Sequence, residues 1–335
     1  MLAAVLALLV VATATPAPVV VQDPRITESS GLAASPTRPD LVWTVNDSGS
    51  EAVVYGVSRR TGRTVSTLRL TGTDARDMEA MAATRTADGT GLLWVGDVGD
   101  NRARRASVVL RLVPEPSRTS ASATPVSLRV RYPDGPHDVE TLIWTPDRRL
   151  LLVSKDLFAG VVYEVPPDAV AAALAGRSTL EPVLAQPIAG VAMSLVTDGA
   201  ALPDGRIILR GYSGATVYAA PPARGTAGTT LAVLQQVVLP AQPQGETLTV
   251  VDGGEAVLVG SEGVRQPLQT VELPAARPSS SAPATTAPDT PSSTPTDAAP
   301  RALNPPPDPR RPLVVLAGIG LALLVGGGLA LRRRR

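Results

Sequence analysis

The chain has 335 residues with a formal net charge of +1, one histidine and no cysteine, and only 3% of it is aromatic although 44% is hydrophobic. No disulfide framework, thiolate chemistry or multi-histidine metal site is therefore available. Without the four terminal arginines the balance is 27 basic residues against 30 acidic ones, which argues against nucleic acid as a partner.

In chain order, residues 2–12 (LAAVLALLVVA) form an apolar run too short to span a bilayer comfortably, and Ala12-Thr13-Ala14 supplies a small-x-small cleavage pattern. Residues 1–14 therefore read as a signal peptide, with a short uncleaved anchor as the alternative. A β-type run, Val19 to Val21, follows. Then one phrase recurs five times, starting at Glu28, Glu79, Glu140, Met193 and Glu246, in steps of 51, 61, 53 and 53 residues. Each copy is a short strand, a turn and a second apolar strand ending in a polar loop: LVWTVNDSG, LLWVGDVGD, LLLVSKD, IILRGYSG and AVLVGSEG. A third strand follows in every copy, at 53–57, 108–113, 161–165, 216–220 and 268–273. A fourth follows in the first four, at 64–70, 126–132, 182–188 and 230–239.

That period is expected of four-stranded propeller blades, which cannot bury both faces alone and do so when stacked around an axis. The fold expected is all-β, a five-bladed β-propeller over residues 19–276. The last copy lacks its fourth strand, so Val19 to Val21 is predicted to close the ring by pairing into it, removing an open edge. The 61-residue step leaves room for a degenerate sixth blade and is read instead as a long loop at 114–125.

Residues 277–311 are rich in Pro, Ser, Thr and Ala and read as a stalk. Residues 312–331 read as a transmembrane helix: the uncharged run Leu313 to Leu331 reaches about 28 Å at roughly 1.5 Å per residue. The basic tail 332–335 places its end in the cytoplasm and the propeller outside it. The expected partners are the membrane, through this helix, and an unidentified extracellular ligand or protein.

The repeated glutamates and the acids after the second strands converge at a channel mouth in such a fold. Glu28, Glu79, Glu140 and Glu246 share a repeat position, and Asp47, Asp97, Lys155 and Glu262 follow the second strands of those copies. A carboxylate ring needs compensation, which makes Ca²⁺ a reasonable cofactor; the alternative is that each glutamate locks the neighbouring blade by hydrogen bonding. Three local clusters stand out. GDVGDN brings Asp97, Asp100 and Asn101 between glycines, suited to oxygen ligation. YPDGPHDVE groups His137, Asp138 and Glu140. Lys155 is the single lysine in a chain that otherwise uses arginine, and a compact ammonium fits among carboxylates or on a phosphate. His137, Glu140 and Lys155 are thus the candidate catalytic residues.

The succession SSGLAAS, LVWTVNDSG, DMEAMA, LLWVGDVGDN, YPDGPHDVETL, LLLVSKD and GETLTV, across roughly residues 26–272, resembles exported bacterial propellers grouped with phytase-like and esterase-like propeller proteins. The resemblance implies channel-mouth acids that bind several Ca²⁺ ions and water activated against a phosphate ester. Carried over, it makes Asp97, Asp100, Asp138, Glu140 and Glu246 metal ligands and puts Lys155 and Arg210 on the phosphate. Met193 departs from the pattern in the fourth repeat. Two functions remain open: a surface-displayed binding or sensor propeller, and a calcium-dependent hydrolase of phosphate or related esters.

Overall fold

The computed structural model describes residues 16–47, 51–179, 181–223 and 228–274. The expected signal peptide, the stalk, the apolar run 313–331 and the basic tail lie outside them. No helix among the described residues is long and apolar enough to cross a membrane.

The described strands form five sheets arranged as the blades of a five-bladed propeller. The chain enters through β1 (Val19–Val20). Blade one is built from β2 (Ser29–Ala34), β3 (Leu41–Asn46), β4 (Val53–Ser58) and β5 (Thr64–Leu70). Blade two uses β6 (Met78–Arg85), β7 (Gly91–Asp97) and β8 (Val108–Pro114); after the short β9 (Ser120–Ala123), its fourth strand is β10 (Val126–Arg131). Blade three uses β11 (Val139–Trp144), β12 (Leu150–Ser154) and β13 (Gly160–Glu164); helix α1 (Pro167–Leu174) and β14 (Val183–Leu184) precede its last strand, β15 (Gln186–Val191). Blade four comprises β16 (Val196–Ala201), β17 (Ile207–Gly211), β18 (Gly214–Tyr218) and β19 (Val233–Val237). Blade five comprises β20 (Gly245–Val251), β21 (Ala256–Ser261) and β22 (Pro267–Glu272). The innermost strands β2, β6, β11, β16 and β20 each pack against the next around the ring.

The second strands are apolar throughout because both their faces are covered. Successive side chains alternate between faces, so Val42 enters the cluster between blades five and one while Trp43 enters that between blades one and two. Five such apolar wedges, one at each blade interface, make up the core of the described residues.

The ring closes as the sequence predicts. Strand β1 runs antiparallel to β22, with Val19 opposite Leu268 and Val20 opposite Pro267, and the Val21 N–H donates to Gln266 O at 3.1 Å. Val21 and Ile26 then fill the wedge between blades five and one. Gly62 permits this path: its φ is +69° and a Cβ there would lie 1.8 Å from Val20 O.

Two expectations are corrected. The segment 114–125 is not simply a loop, nor a sixth blade: β9 within it pairs parallel with β5, Thr67 opposite Ser120 through Leu70 opposite Ala123, extending blade one. The run 182–188 is not one strand either. Its Val183–Leu184 pairs parallel with β10 on blade two, and only from Gln186 does the chain join blade three. Both additions satisfy the outer edge of a neighbouring blade, which would otherwise expose unpaired backbone groups. Helix α1, not foreseen, starts with Pro167 in its first turn and buries Ala169, Val170 and Ala173 between blades two and three.

Glu115 holds the blade-one excursion in place. Its carboxylate accepts from Trp43 Nε1 at 2.8 Å, from the hydroxyls of Ser35 and Thr37, and from Arg38 at 3.4 Å. Burial opposes its ionisation, but those hydrogen bonds and the Arg38 charge outweigh it and lower its pKa. Glu115→Ala leaves the buried Trp43 indole without its acceptor and is expected to lower unfolding stability by about 2–4 kcal/mol. Deletion of residues 16–23 should expose the β22 edge, cost several kcal/mol by chemical denaturation and cause aggregation. A monomeric deletion variant with the parent's melt would contradict the closure mechanism.

Candidate functional site

The inner strands meet the channel mouth at one register position, defined by the pairs Ser29–Asn46, Met78–Asp97, Val139–Ser154, Val196–Gly211 and Gly245–Ser261. The next residue in each blade is Ser30, Glu79, Glu140, Thr197 and Glu246. In blades two to five the register slips at that residue, and in blade one it slips one residue later. A bulge of this kind re-aims a side chain out of the ladder. The repeat alignment is thereby corrected: Ser30, not Glu28, is the blade-one equivalent of the glutamates, and Thr197, not Met193, that of blade four. Glu28 instead aligns with Asp77 and Asp138, two residues before the ring position.

Around this position the chain gathers eight carboxylates: Glu28, Asp47, Asp77, Glu79, Asp138, Glu140, Glu246 and Glu262. Oxygens of Asp47, Asp77 and Glu79 lie within 4.8 Å of one another. Ser30 Oγ donates to Glu79 Oε2 at 2.6 Å. Gly99 leaves the space they occupy, since a Cβ on it would lie 2.6 Å from the Asp77 carboxyl and 2.7 Å from Glu79 Cγ. On the blade-three side, Lys155 Nζ donates to Glu140 Oε1 at 2.5 Å and sits 5.2 Å from the Tyr212 ring centroid. The other oxygen of Glu140 is buried without a hydrogen-bond partner. Gln244 Nε2 bridges Glu262 at 2.5 Å and Glu246 at 3.4 Å.

Burial and mutual repulsion push these acids up. Burial, then the charges of Glu140 and Asp47, raises Glu79 to about 10. Burial raises Glu140 to about 9 against the pull of Lys155. Asp77 rises to about 7 through burial and its contact with Asp47, and Glu262 to about 7 through burial and the charges of Glu246 and Asp47. Asp138 and Glu246 are also raised, chiefly by burial. Burial opposes the Lys155 charge, but Glu140 outweighs it and keeps the ammonium protonated.

Further along the channel Asp198 ties three blades together. Fully buried, it accepts from the backbone N–H groups of Leu248 (2.7 Å), Gly199 (2.8 Å) and Leu32 (3.1 Å). Beyond it the inner strands line a cavity of about 150 Å³ with residues such as Ala33, Met81, Ile143, Ala200 and Val250. The buried acids with raised pKa values thus cluster at the end of the channel that carries the bulges, apart from Asp198.

Several residues picked from sequence lie in other settings. Asp97 caps the loop before β6 by accepting from the N–H groups of Arg76 and Asp77, and it is ion-paired at 2.9 Å with both Arg105 and Arg111. Two guanidiniums already offset its charge, so its carboxylate is occupied by protein rather than grouped with Asp47, Asp77 and Glu79. Asp100 accepts from the N–H groups of Arg104 and Arg105 and so folds its own hairpin, while Asn101 is exposed beside it. His137 packs among Tyr132 and Tyr163, with Nε2 2.9 Å from the Tyr163 hydroxyl and 3.1 Å from Asp134. It belongs to the interface of blades two and three, not to the acid cluster. Arg210 is 1% exposed and donates to Thr247 O, Gly260 O and Gln242 Oε1, joining blades four and five; burial lowers its pKa to about 10. Its Nη1 and Nη2 donors are spent on protein, and Nε is buried without a hydrogen-bond partner, so the guanidinium lies within the interface of blades four and five. Glu79, Asp138, Glu140, Glu246 and Lys155 do come together. Asp77 and Ser30 were missed, although Asp77-Met78-Glu79 and Asp138-Val139-Glu140 share a spacing that puts both acids on one face of an extended strand.

No family model and no curated protein matches this chain. Among solved structures it is similar to a gluconolactonase of Xanthomonas campestris (11% identity, 76% of this chain and 89% of that one, TM-score 0.42). A luciferin-regenerating enzyme matches at 9% identity over 77% of this chain and 96% of that one, with a TM-score of 0.42. A candidate gluconolactonase matches at 14% identity over 77% and 84%, with a TM-score of 0.45. Likeness at this level carries nothing about substrate or site.

Proposed function

We propose that this protein is an extracytoplasmic, membrane-anchored propeller that holds a hard divalent cation, Ca²⁺ by its donor set, at the acidic mouth and binds a ligand there. The observation that carries this reading is the grouping of Asp47, Asp77 and Glu79. Their donors are all carboxylate oxygens, with the Ser30 hydroxyl adjacent, which suits a hard ion rather than a nitrogen- or sulfur-seeking one. Carboxylates raised as far as Glu79 hold protons at neutral pH unless a cation replaces them. The anchor and outward orientation rest on the sequence of residues 312–335.

Ligand binding at this face is supported by its rim. Leu157, Phe158, Tyr212 and Val264, on the hairpins of blades three, four and five at this end, are 63%, 85%, 45% and 47% exposed, and exposed apolar groups around a mouth suit a contact surface. The second reading, a calcium-dependent ester hydrolase, draws on Glu140 and Lys155. A bound divalent cation would supply charge compensation and electrophilic activation of a substrate. The chain's own part is then to present the Lys155 ammonium to a substrate oxyanion and the unpartnered oxygen of Glu140 to a proton. Assay of the purified protein against phosphate and carboxyl esters, with calcium and with chelator, separates the readings: turnover lost in Glu140→Gln and Lys155→Met supports hydrolysis, and calcium-dependent binding without turnover supports the binding module.

Calcium at a hundredfold excess over its Kd should stabilise the fold by about 2.7 kcal/mol. Glu79→Gln and Asp77→Asn should abolish that gain, and Lys155→Met should keep it. Thermal melts in calcium and in chelator measure this, and coincident midpoints for the parent would remove the metal site.

The pH dependence follows from the same groups. Glu79 has a folded pKa of about 10 against an ordinary 4.5, so between those limits the folded state binds more protons than the unfolded one. Metal-free stability should fall as pH rises from about 5 towards 10, and Glu79→Gln should flatten that slope. Calcium added at pH 7 should release protons in a weakly buffered titration. A metal-free stability that rises across this range would contradict the assignment.

A further inference from the structure

The flank of blade two has the opposite charge from the mouth. Four separate segments bring arginines to one cavity of about 690 Å³: Arg76 from the link between blades one and two, Arg104 and Arg105 from the β7–β8 hairpin, Arg111 from β8 and Arg129 from β10. The acids that line it are Asp74 and Asp97, so five guanidiniums face two carboxylates, a formal surplus of three. Asp97 is already shared by Arg105 and Arg111. Arg76, Arg104 and Arg129 form no ion pair among the described residues.

The floor of this cavity is built rather than merely charged. Arg111 is 3% exposed, and its Nε and Nη2 are fixed by Thr73 Oγ1 and Asp74 O at 2.7 Å, leaving Nη1 buried without a partner. Arg105 is held by Gly99 O at 2.8 Å and by Asp97, and its Nε likewise has no partner. A solvated arginine surface needs neither a buried guanidinium nor spare donors. Convergence of like charges costs free energy that a bound anion returns, and guanidinium forks match the paired oxygens of phosphate and carboxylate alike. The volume suits a small molecule rather than a single ion. A hollow of about 300 Å³ that shares Arg76, Arg104 and Arg105 reaches Asp77, so the two sites border one another.

We propose that this arginine-lined cavity binds a small polyanion, a molecule bearing two or more phosphate or carboxylate groups, at a site separate from the acidic mouth. The proposal does not depend on the metal reading. Its test is calorimetric titration of the full-length protein in calcium-free buffer with pyrophosphate and, separately, with citrate. Saturable binding of one equivalent of either probe is expected, weakening as sodium chloride is raised, and the probe that binds identifies the oxyanion type. Arg76→Ala with Arg129→Ala, both on exposed side chains, should weaken binding at least tenfold while leaving the melting midpoint in place, and Glu79→Gln should leave it unchanged. Absence of saturable binding for both probes, or binding undiminished in the double variant, overturns the proposal. Loss of binding in Glu79→Gln would move the anion to the mouth and overturn it as well.

Discussion

Five strands converge on one axis, and at that radius there is room for very little side chain. Where β2 meets β6, Gly31 adopts φ +64° and a Cβ would lie 2.7 Å from Met81 N. Ala33, Ala82, Gly199 and Ala200 are among the small residues along the inner strands. Apolar groups such as Met81 and Ile143 fill the middle of the inner strands, while Glu79, Glu140 and Glu246 sit at their ends, where a bulge turns them out of the ladder. Asp198 is the exception that keeps the axis ordered, because three backbone N–H groups from blades one, four and five replace the water it has lost.

Much of this was legible because the constraint repeats. A second strand buried on both faces must be apolar along its length, which made LVWTV, LLWV, LLLV, IIL and AVLV conspicuous at a fixed interval. A missing fourth strand at one end and a spare valine run at the other pointed to closure. The edge staples β9 and β14 left no such mark, since SASA and VL gain their pairing from the exposed edge of a neighbouring blade and not from a pattern of their own.

At the site the limit was of a different kind. Glu79, Glu140 and Glu246 stood out through repetition, but blades one and four carry Ser30 and Thr197 there, and matching on glutamate or on a nearby methionine shifted the register. Asp97 and Arg210 illustrate a second limit. An acid between glycines reads as a ligand, and an arginine on a strand as a ligand grip, until the guanidiniums on the one and the carbonyls around the other are seen. Sequence shows which charges exist; only the fold shows which of them are already compensated.

Compensation also explains why a net charge of +1 says so little about this molecule. Acids gather at the mouth, with Lys155 as their ammonium, and arginines gather on the adjoining flank, where Arg105 and Arg111 share Asp97 and Arg76, Arg104 and Arg129 have no ion pair among the described residues. Lys155 places its compact charge on Glu140 Oε1 while Nζ lies over Tyr212, which leaves Glu140 Oε2 without a hydrogen-bond partner. At physiological ionic strength fields fade over roughly 8 Å, so neighbouring regions of opposite sign stay distinct instead of cancelling. The acidic mouth and the arginine-lined cavity border one another through Arg76, Arg105 and Asp77.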